Sequence, residues 1–354
     1  MKKINLFFIA IVFIVIANSC KKDNNVVTAP PKVTTGVYSL NQGNYGYNNT
    51  TLTYYDFSTG LPTTDFYKDA NGFGLGDTGS DFIIYGGKMY IVMNASGNVA
   101  VTDALSAKFI DTVSFTIGGV NLEPENIIGF GSNVFVSCTN NTVAVIDTTS
   151  FAITKFITVG ANPAQMAISG TNLYVSNTGA FGTYDSTVSV INLSTLAETS
   201  KITVGVNPGY IAADNAGYIY VACTGNYGGV GPQLVKVNTN TNTITKAADT
   251  AVGVIRYYNN NLYVTGGYFG VSNVRVLSTT DFSAVKSNFI SDGTVVTTPY
   301  GLDIDNATGD VYVGDAKDYI SAGEVFCFNN NGNQKFSFST TPTATPIKTA
   351  LIQQ

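Results

Sequence analysis

The chain contains no histidine, so its chemistry must be built from carboxylates, amides, hydroxyls and aromatic rings. That excludes Ser-His-Asp relays, imidazole general bases and histidine metal ligands. Two groups of residues draw attention by type and spacing. One recurs at roughly forty-five-residue intervals: Asp81, Asn126, Gln165, Tyr210, Val254, Gly301 and Lys348. Most of these lie two positions past a proline, and most carry a side chain able to hydrogen-bond a ligand. The other group is aromatic and sits among glycine and asparagine: Tyr45, Tyr47, Phe73, Phe181, Tyr184, Tyr227, Tyr268, Phe269 and Tyr319. Rings in such surroundings form adaptable contact surfaces at low entropic cost. Both groups suit binding better than bond-breaking.

Carboxylate clusters carry less. The run Asp303-Ile304-Asp305-Asn306-Ala307-Thr308-Gly309-Asp310 lacks the spacing and terminal glutamate of a calcium loop. It falls where other repeats make their first hairpin turn and reads as turn chemistry. Glu123, Glu125, Asp77 and Asp81 could hold a cation only weakly, so no metal site and no cofactor is assigned. GFGLGDTG lacks the strand–loop–helix setting of a nucleotide site. Cys138 and Cys223 occupy equivalent positions in non-adjacent repeats, too far apart to bridge, and read as buried thiols.

The elements that must position these residues are repeated. A strand centred on an aromatic residue recurs as GVYSLNQ, KMYIVMN, NVFVSCTN, NLYVSNTG, YIYVACTG, NLYVTGGY and DVYVGDAK, anchored on Tyr38, Tyr90, Phe135, Tyr174, Tyr220, Tyr263 and Tyr312. A period near forty-five, made of short β-branched strands and turn residues, predicts a β-propeller of four-stranded blades. The predicted fold is therefore all-β, with seven blades over residues 36–354. The first anchor has no strand ahead of it, whereas 345–352 has the proline-then-strand pattern with no anchor after it. The C-terminal strand is thus expected to complete the N-terminal blade.

Propeller geometry gathers the second-to-third loops and the inter-blade connections on one face, around the channel. Stretches 41–50, 178–186, 224–232, 266–272 and 314–323, with the connection 68–81, are the long ones and carry the aromatics. The opposite turns are tight, as at Gly86-Gly87, Gly131-Ser132, Gly170-Thr171 and Asn259-Asn260. The aromatic residues therefore form a ligand-binding rim, and the proline-registered series forms the channel mouth.

Composition narrows the partners. A net charge of −5 and a pI near 4.7 argue against nucleic acid. The absence of tryptophan separates the chain from WD-type propellers. Lys2-Lys3 and the apolar stretch 6–17, too short to span a bilayer, read as a signal peptide over 1–19. Residues 21–35 read as a polar, proline-containing tether.

The phrases AQMAIS, LYVSN, TVSVINL and KITVG resemble repeats of the YVTN/YncE-type propeller family. GVYSLNQGNYGYNNTTLTYYD and LGDTGSDFIIYGGKMYIVMN are similar to the opening repeats of surface-layer-like propeller lipoproteins of Bacteroidetes. Ala17-Asn18-Ser19-Cys20 resembles a lipobox with Cys20 as the lipidated residue, and Lys21-Lys22-Asp23 resembles an outer-surface export tag. The resemblance implies an outer-membrane lipoprotein exposed at the cell surface and touching membrane only through its anchor. It further implies a non-enzymatic capture protein, and corrinoid (vitamin B12) capture for a TonB-dependent transporter is its sharpest form. The alternatives are a glycan- or protein-binding adhesion module of a surface layer and, further off, a metal-dependent lyase or lactonase.

Overall fold

Seven sheets, each an antiparallel set of four strands, stand in a ring. The structure is a computed structural model describing residues 34–267 and 272–353. The stretch expected to be a signal peptide, the expected lipidation residue Cys20, the expected tether up to residue 33, and Tyr268 and Phe269 lie outside the described residues.

Blade four shows how sequence makes the unit. Its innermost strand, Pro163–Ser169, turns through Gly170-Thr171 into Asn172–Ala180, then Thr183–Asn192 and the outermost Ala197–Thr203. Proline costs no ladder bond at the first position of a strand, and Gly170 takes the positive φ that a two-residue hairpin demands. The second and third strands are buried on both faces, because each blade packs between two neighbours. All seven aromatic anchors are core residues, none more than 7% exposed. They join apolar clusters that run from blade to blade, as where Tyr90, Val92 and Val99 meet Ile127, Val134 and Val136. Cys138, Cys223 and Cys327 are buried free thiols.

The ring closes as expected. Pro346–Gln353 pairs antiparallel with Thr34–Asn41, with Tyr38 opposite Ala350, and becomes the innermost strand of blade one. The innermost strands then touch their counterparts in both neighbouring blades around the whole circle. Blade seven makes room for this strand: a Cβ on Gly314 would come within 2.3 Å of the Pro346 carbonyl oxygen.

Two segments differ from expectation. Residues 178–186 are not a loop. The strands continue through Gly179↔Tyr184 and Ala180↔Thr183 and turn on Phe181-Gly182, so blade four carries a hairpin that projects past its neighbours. Threonine and tyrosine favour strand, and Gly182 at φ +83° supplies the turn. The connection from blade one to blade two contains a short helix, Phe66–Asn71. The Asp65 side chain caps its start and Gly72 ends it in the left-handed conformation.

Candidate functional site

The innermost strands do more than line the channel. In six of them the pairing with the second strand slips near the channel-mouth end: between Gly79 and Asp81, Pro124 and Ile127, Pro163 and Met166, Pro208 and Ile211, Pro299 and Gly301, and opposite Leu40 and Asn41. A bulge leaves residues unpaired and re-aims their side chains. Hydroxyls on or just past the second strand satisfy the backbone at these bulges and at the matching position of blade six, where the pairing does not slip. Asn126 N–H donates to Ser137 Oγ (3.1 Å), Ser176 Oγ donates to the Gln165 carbonyl (3.1 Å), and Val254 N–H donates to Thr265 Oγ1 (3.0 Å).

The bulges bring most of the proline-registered residues together. Asp81, 2% exposed, pairs with Lys348 from the closing strand. It accepts from Asn126 Nδ2 and from Ile127 N–H (3.0 Å), and Asn126 Nδ2 also reaches Gln165 Oε1 (3.2 Å). Asn126 Oδ1 accepts from Met166 N–H (3.2 Å). One network therefore spans blades one to four. Tyr210 and Val254 continue the wall, whereas Gly301 contributes backbone, because a Cβ there would meet the Pro346 and Ile347 carbonyls.

Four further residues complete the mouth. Arg256 Nε pairs with Asp303 Oδ1 (3.0 Å), and Asp303 Oδ2 accepts from Thr349 N–H (2.7 Å). Asp303 is thus an ion-pair partner and not turn chemistry. Asp305 is the turn residue, accepting from Ala307 N–H and Thr308 Oγ1. Glu125 receives Asn94 Nδ2 (2.9 Å), and burial, reinforced by nearby Asp81 and Glu123, pushes its carboxyl up to about 7. Tyr300 faces Tyr210. Burial, with Tyr300 alongside, pushes the Tyr210 phenol up to about 12, and neither hydroxyl bonds a described residue. For Glu125 and Tyr300 the signal lay beside the registered positions, since a bulge turns two neighbours toward the channel where a regular strand would turn one.

Space opens on this floor. A cavity of about 250 Å³ lies over Asp81, Glu125, Gln165, Arg256 and Lys348, walled by Tyr210 and Tyr300. A second of about 300 Å³ continues past Tyr210 and Tyr300 to Thr298 and Tyr319, and a third of about 130 Å³ runs from Tyr210 to Tyr227. Tyr210 borders all three, so they meet at this residue as a trough running from the channel mouth out over blades five to seven.

The rim aromatics divide. Phe181, 90% exposed at its hairpin tip, meets Tyr184 and Tyr227 at centroid distances of 6.0 and 6.4 Å, and those two tyrosines lie 5.9 Å apart. Tyr319 packs edge-on against Tyr300 at 6.0 Å. Tyr227 and Tyr319 have φ of +58° and +63°, strained for bulky side chains and of the kind that gathers at ligand sites. Tyr45 and Tyr47 stand exposed on blade one without ring contacts to described residues. Phe73 is not on the rim. It packs edge-on against Tyr67 and Phe109, and Asn71 bonds Ala107 and Phe109 beside the third-to-fourth turn of blade two. The unforeseen helix carries it there. Among the described residues no group of three carboxylates or thiols is placed to hold a metal ion, and no helix is long and apolar enough to cross a membrane.

Residues 35–339 match a family described as a domain of unknown function, DUF5074. The chain belongs to the DUF5074 family. No curated protein matches this DUF5074 protein in sequence. Its fold is similar to that of a quinonprotein alcohol dehydrogenase-like protein from Bacteroides thetaiotaomicron, at TM-score 0.68 and 14% identity over 90% of this chain and 79% of the other. Hydrazine synthase of Kuenenia stuttgartiensis aligns at TM-score 0.59 and 16% identity, over 72% and 77% of the two chains. The computationally designed protein Ika8 aligns at TM-score 0.59 and 11% identity, over 88% and 90%. At these identities the shared property is the propeller fold, and function must be argued from the site.

Proposed function

We propose that this DUF5074 protein is a non-enzymatic capture protein that takes a ligand with a flat apolar body and polar margins. The observation that carries the reading is the convergence of three cavities on Tyr210, with tyrosines on the walls and a charged, hydrogen-bonding floor. Such a site is concave, with aromatic walls and polar groups oriented on its floor, as small-molecule sites are. The finer form is corrinoid capture at the outer surface by a protein of the YncE-type lipoprotein kind, anchored through Cys20 and serving a TonB-dependent transporter. Support for it comes from the sequence resemblance and from the amide and tyrosine groups of the mouth, which suit amide-bearing ligands.

Titration with cyanocobalamin tests the finer form. Binding is expected below about 1 μM and to weaken at least about tenfold in Tyr210→Ala or Tyr300→Ala. No binding up to about 100 μM would remove corrinoids and leave the trough open to other small molecules.

A glycan reading rests on a different observation, the exposed platform of Phe181, Tyr184 and Tyr227 at the end of the trough. It predicts hits on a glycan array that vanish in Phe181→Ala and persist in Tyr300→Ala.

A further inference from the structure

Four charged side chains line the cavity at the channel mouth: Asp81, Glu125, Arg256 and Lys348. Asp81 is matched by Lys348, and Arg256 by Asp303 behind it. Glu125 makes no ion pair with any described residue. Its one hydrogen bond comes from the neutral amide of Asn94. Facing it are two tyrosine rings, Tyr210 and Tyr300, whose hydroxyls bond no described residue. An unmatched carboxylate beside aromatic rings is the arrangement that receives a positive charge, because the ring quadrupole and the carboxylate attract the same cation.

We propose that the channel mouth binds an organic cation, an ammonium or quaternary nitrogen seated between the Glu125 carboxylate and the rings of Tyr210 and Tyr300. The proposal rests on the capture reading, with the cation being the charged group of the captured ligand. The local field supports it. Burial chiefly, and then Asp81 and Glu123, raise the Glu125 carboxyl, and neither Lys348 nor Arg256, which line the same cavity, makes an ion pair with it. Burial chiefly pushes the Tyr210 and Tyr300 phenols up, with Glu125 among the lesser causes, and all three side chains line the same cavity. Glu125, with its carboxyl up at about 7, therefore gains its charge near neutrality. The charges around it are Asp81 of blade two, Glu123 beside it, and Lys348 of the closing strand and Arg256 of blade six on the same cavity, with Asp303 of blade seven behind Arg256.

The competing occupant is an anion held by Arg256 and Lys348. The pairing of both cations with carboxylates argues against it, and the test includes it.

Choline, its uncharged carbon isostere 3,3-dimethylbutan-1-ol, and inorganic phosphate are titrated against the full-length protein. Saturation-transfer NMR and tyrosine fluorescence report binding. Choline is expected to bind at pH 8, about tenfold or more tighter than the isostere and than at pH 5.5. Glu125→Gln should lose at least about tenfold in choline affinity while melting no lower than the parent, and Glu125→Asp should recover part of it. Equal binding of choline and isostere, retained binding in Glu125→Gln, or choline silent to about 10 mM would each overturn the proposal. So would phosphate binding lost in Arg256→Gln. If cyanocobalamin still binds through Tyr210 and Tyr300 while choline does not, the cation proposal fails and the capture reading stands.

Discussion

At the scale of single residues, Glu125 ties the site to stability. Its carboxyl has an ordinary value of 4.5 and is raised to about 7 by burial and by Asp81 and Glu123. The folded protein therefore holds this proton where the unfolded chain has released it. Stability from this group is fully present below about pH 4.5 and is lost as pH rises through about 7. The shift corresponds to about 3 kcal/mol at most, and partial exposure to the cavity reduces it to about 2 kcal/mol. Urea denaturation at pH 5 and pH 8 is expected to show the parent losing about 2 kcal/mol relative to Glu125→Gln across that interval. Identical pH slopes in the two proteins would mean that the carboxyl titrates as a solvated group. A carboxyl that costs stability when charged is one that a positively charged ligand would stabilise, which connects this slope to the proposed capture site.

At the scale of elements, the bulged innermost strand is the device that builds the mouth, and its support is buried. Ser176 Oγ, fully buried, lies 3.1 Å from the Gln165 carbonyl and 2.5 Å from the Gly209 carbonyl, joining the bulge of blade four to the strand of blade five. Ser176→Ala removes a buried donor shared by two half-buried carbonyls, at a cost of about 1 kcal/mol. The denaturation midpoint should fall accordingly, and ligand affinity with it, since Gln165 and Tyr210 flank the loosened backbone. A stability loss with unchanged affinity would show that the bulge does not orient the mouth. The same element explains what was legible in the sequence. The aromatic anchors repeat because each second strand is packed on both faces, so Tyr38 through Tyr312 announce the blades directly. Asn126, Gln165, Tyr210 and Lys348 were reachable by counting from proline because proline marks the start of the strand, and Asp81 by the repeat spacing, with Gly79 in the proline's place. Glu125 and Tyr300 were not, because they sit one residue off that register and only a bulge turns both neighbours inward. Arg256 and Asp303 meet across two blades, a contact that no local spacing encodes. Phe73 went astray because six residues of helix, too short for a visible period, redirect the connection that carries it.

At the scale of the whole molecule, one strand joins the ring's two ends and also furnishes part of the mouth. Pro346–Gln353 pairs along the length of Thr34–Asn41, its Lys348 reaches Asp81 of blade two, and its Thr349 reaches Asp303 of blade seven. Removing residues 346–354 would strip the inner edge of blade one and leave Asp81 buried without its cation. The second effect alone costs about 3–5 kcal/mol. At roughly 2–4 °C per kcal/mol for a domain of this size, the melting temperature should drop by about 10 °C or more. That deletion alone cannot separate ring closure from the loss of local contacts, but a circular permutant can. Thr34 pairs with Gln353 across the sheet, so the two ends of blade one lie where a short glycine turn could join them. Linking residue 353 to residue 34, and opening the chain at the tight turn Gly86-Gly87, keeps every strand and moves the seam into blade two. If closure by the terminal strand is what holds the ring, blade one becomes covalently continuous and weakness moves to the new ends. Hydrogen exchange should then quicken in residues 79–93 and slow in 34–41, with the melting temperature close to the parent's. Exchange that stays fastest in 34–41 would place the weak point elsewhere and leave the terminal strand as one more edge contact.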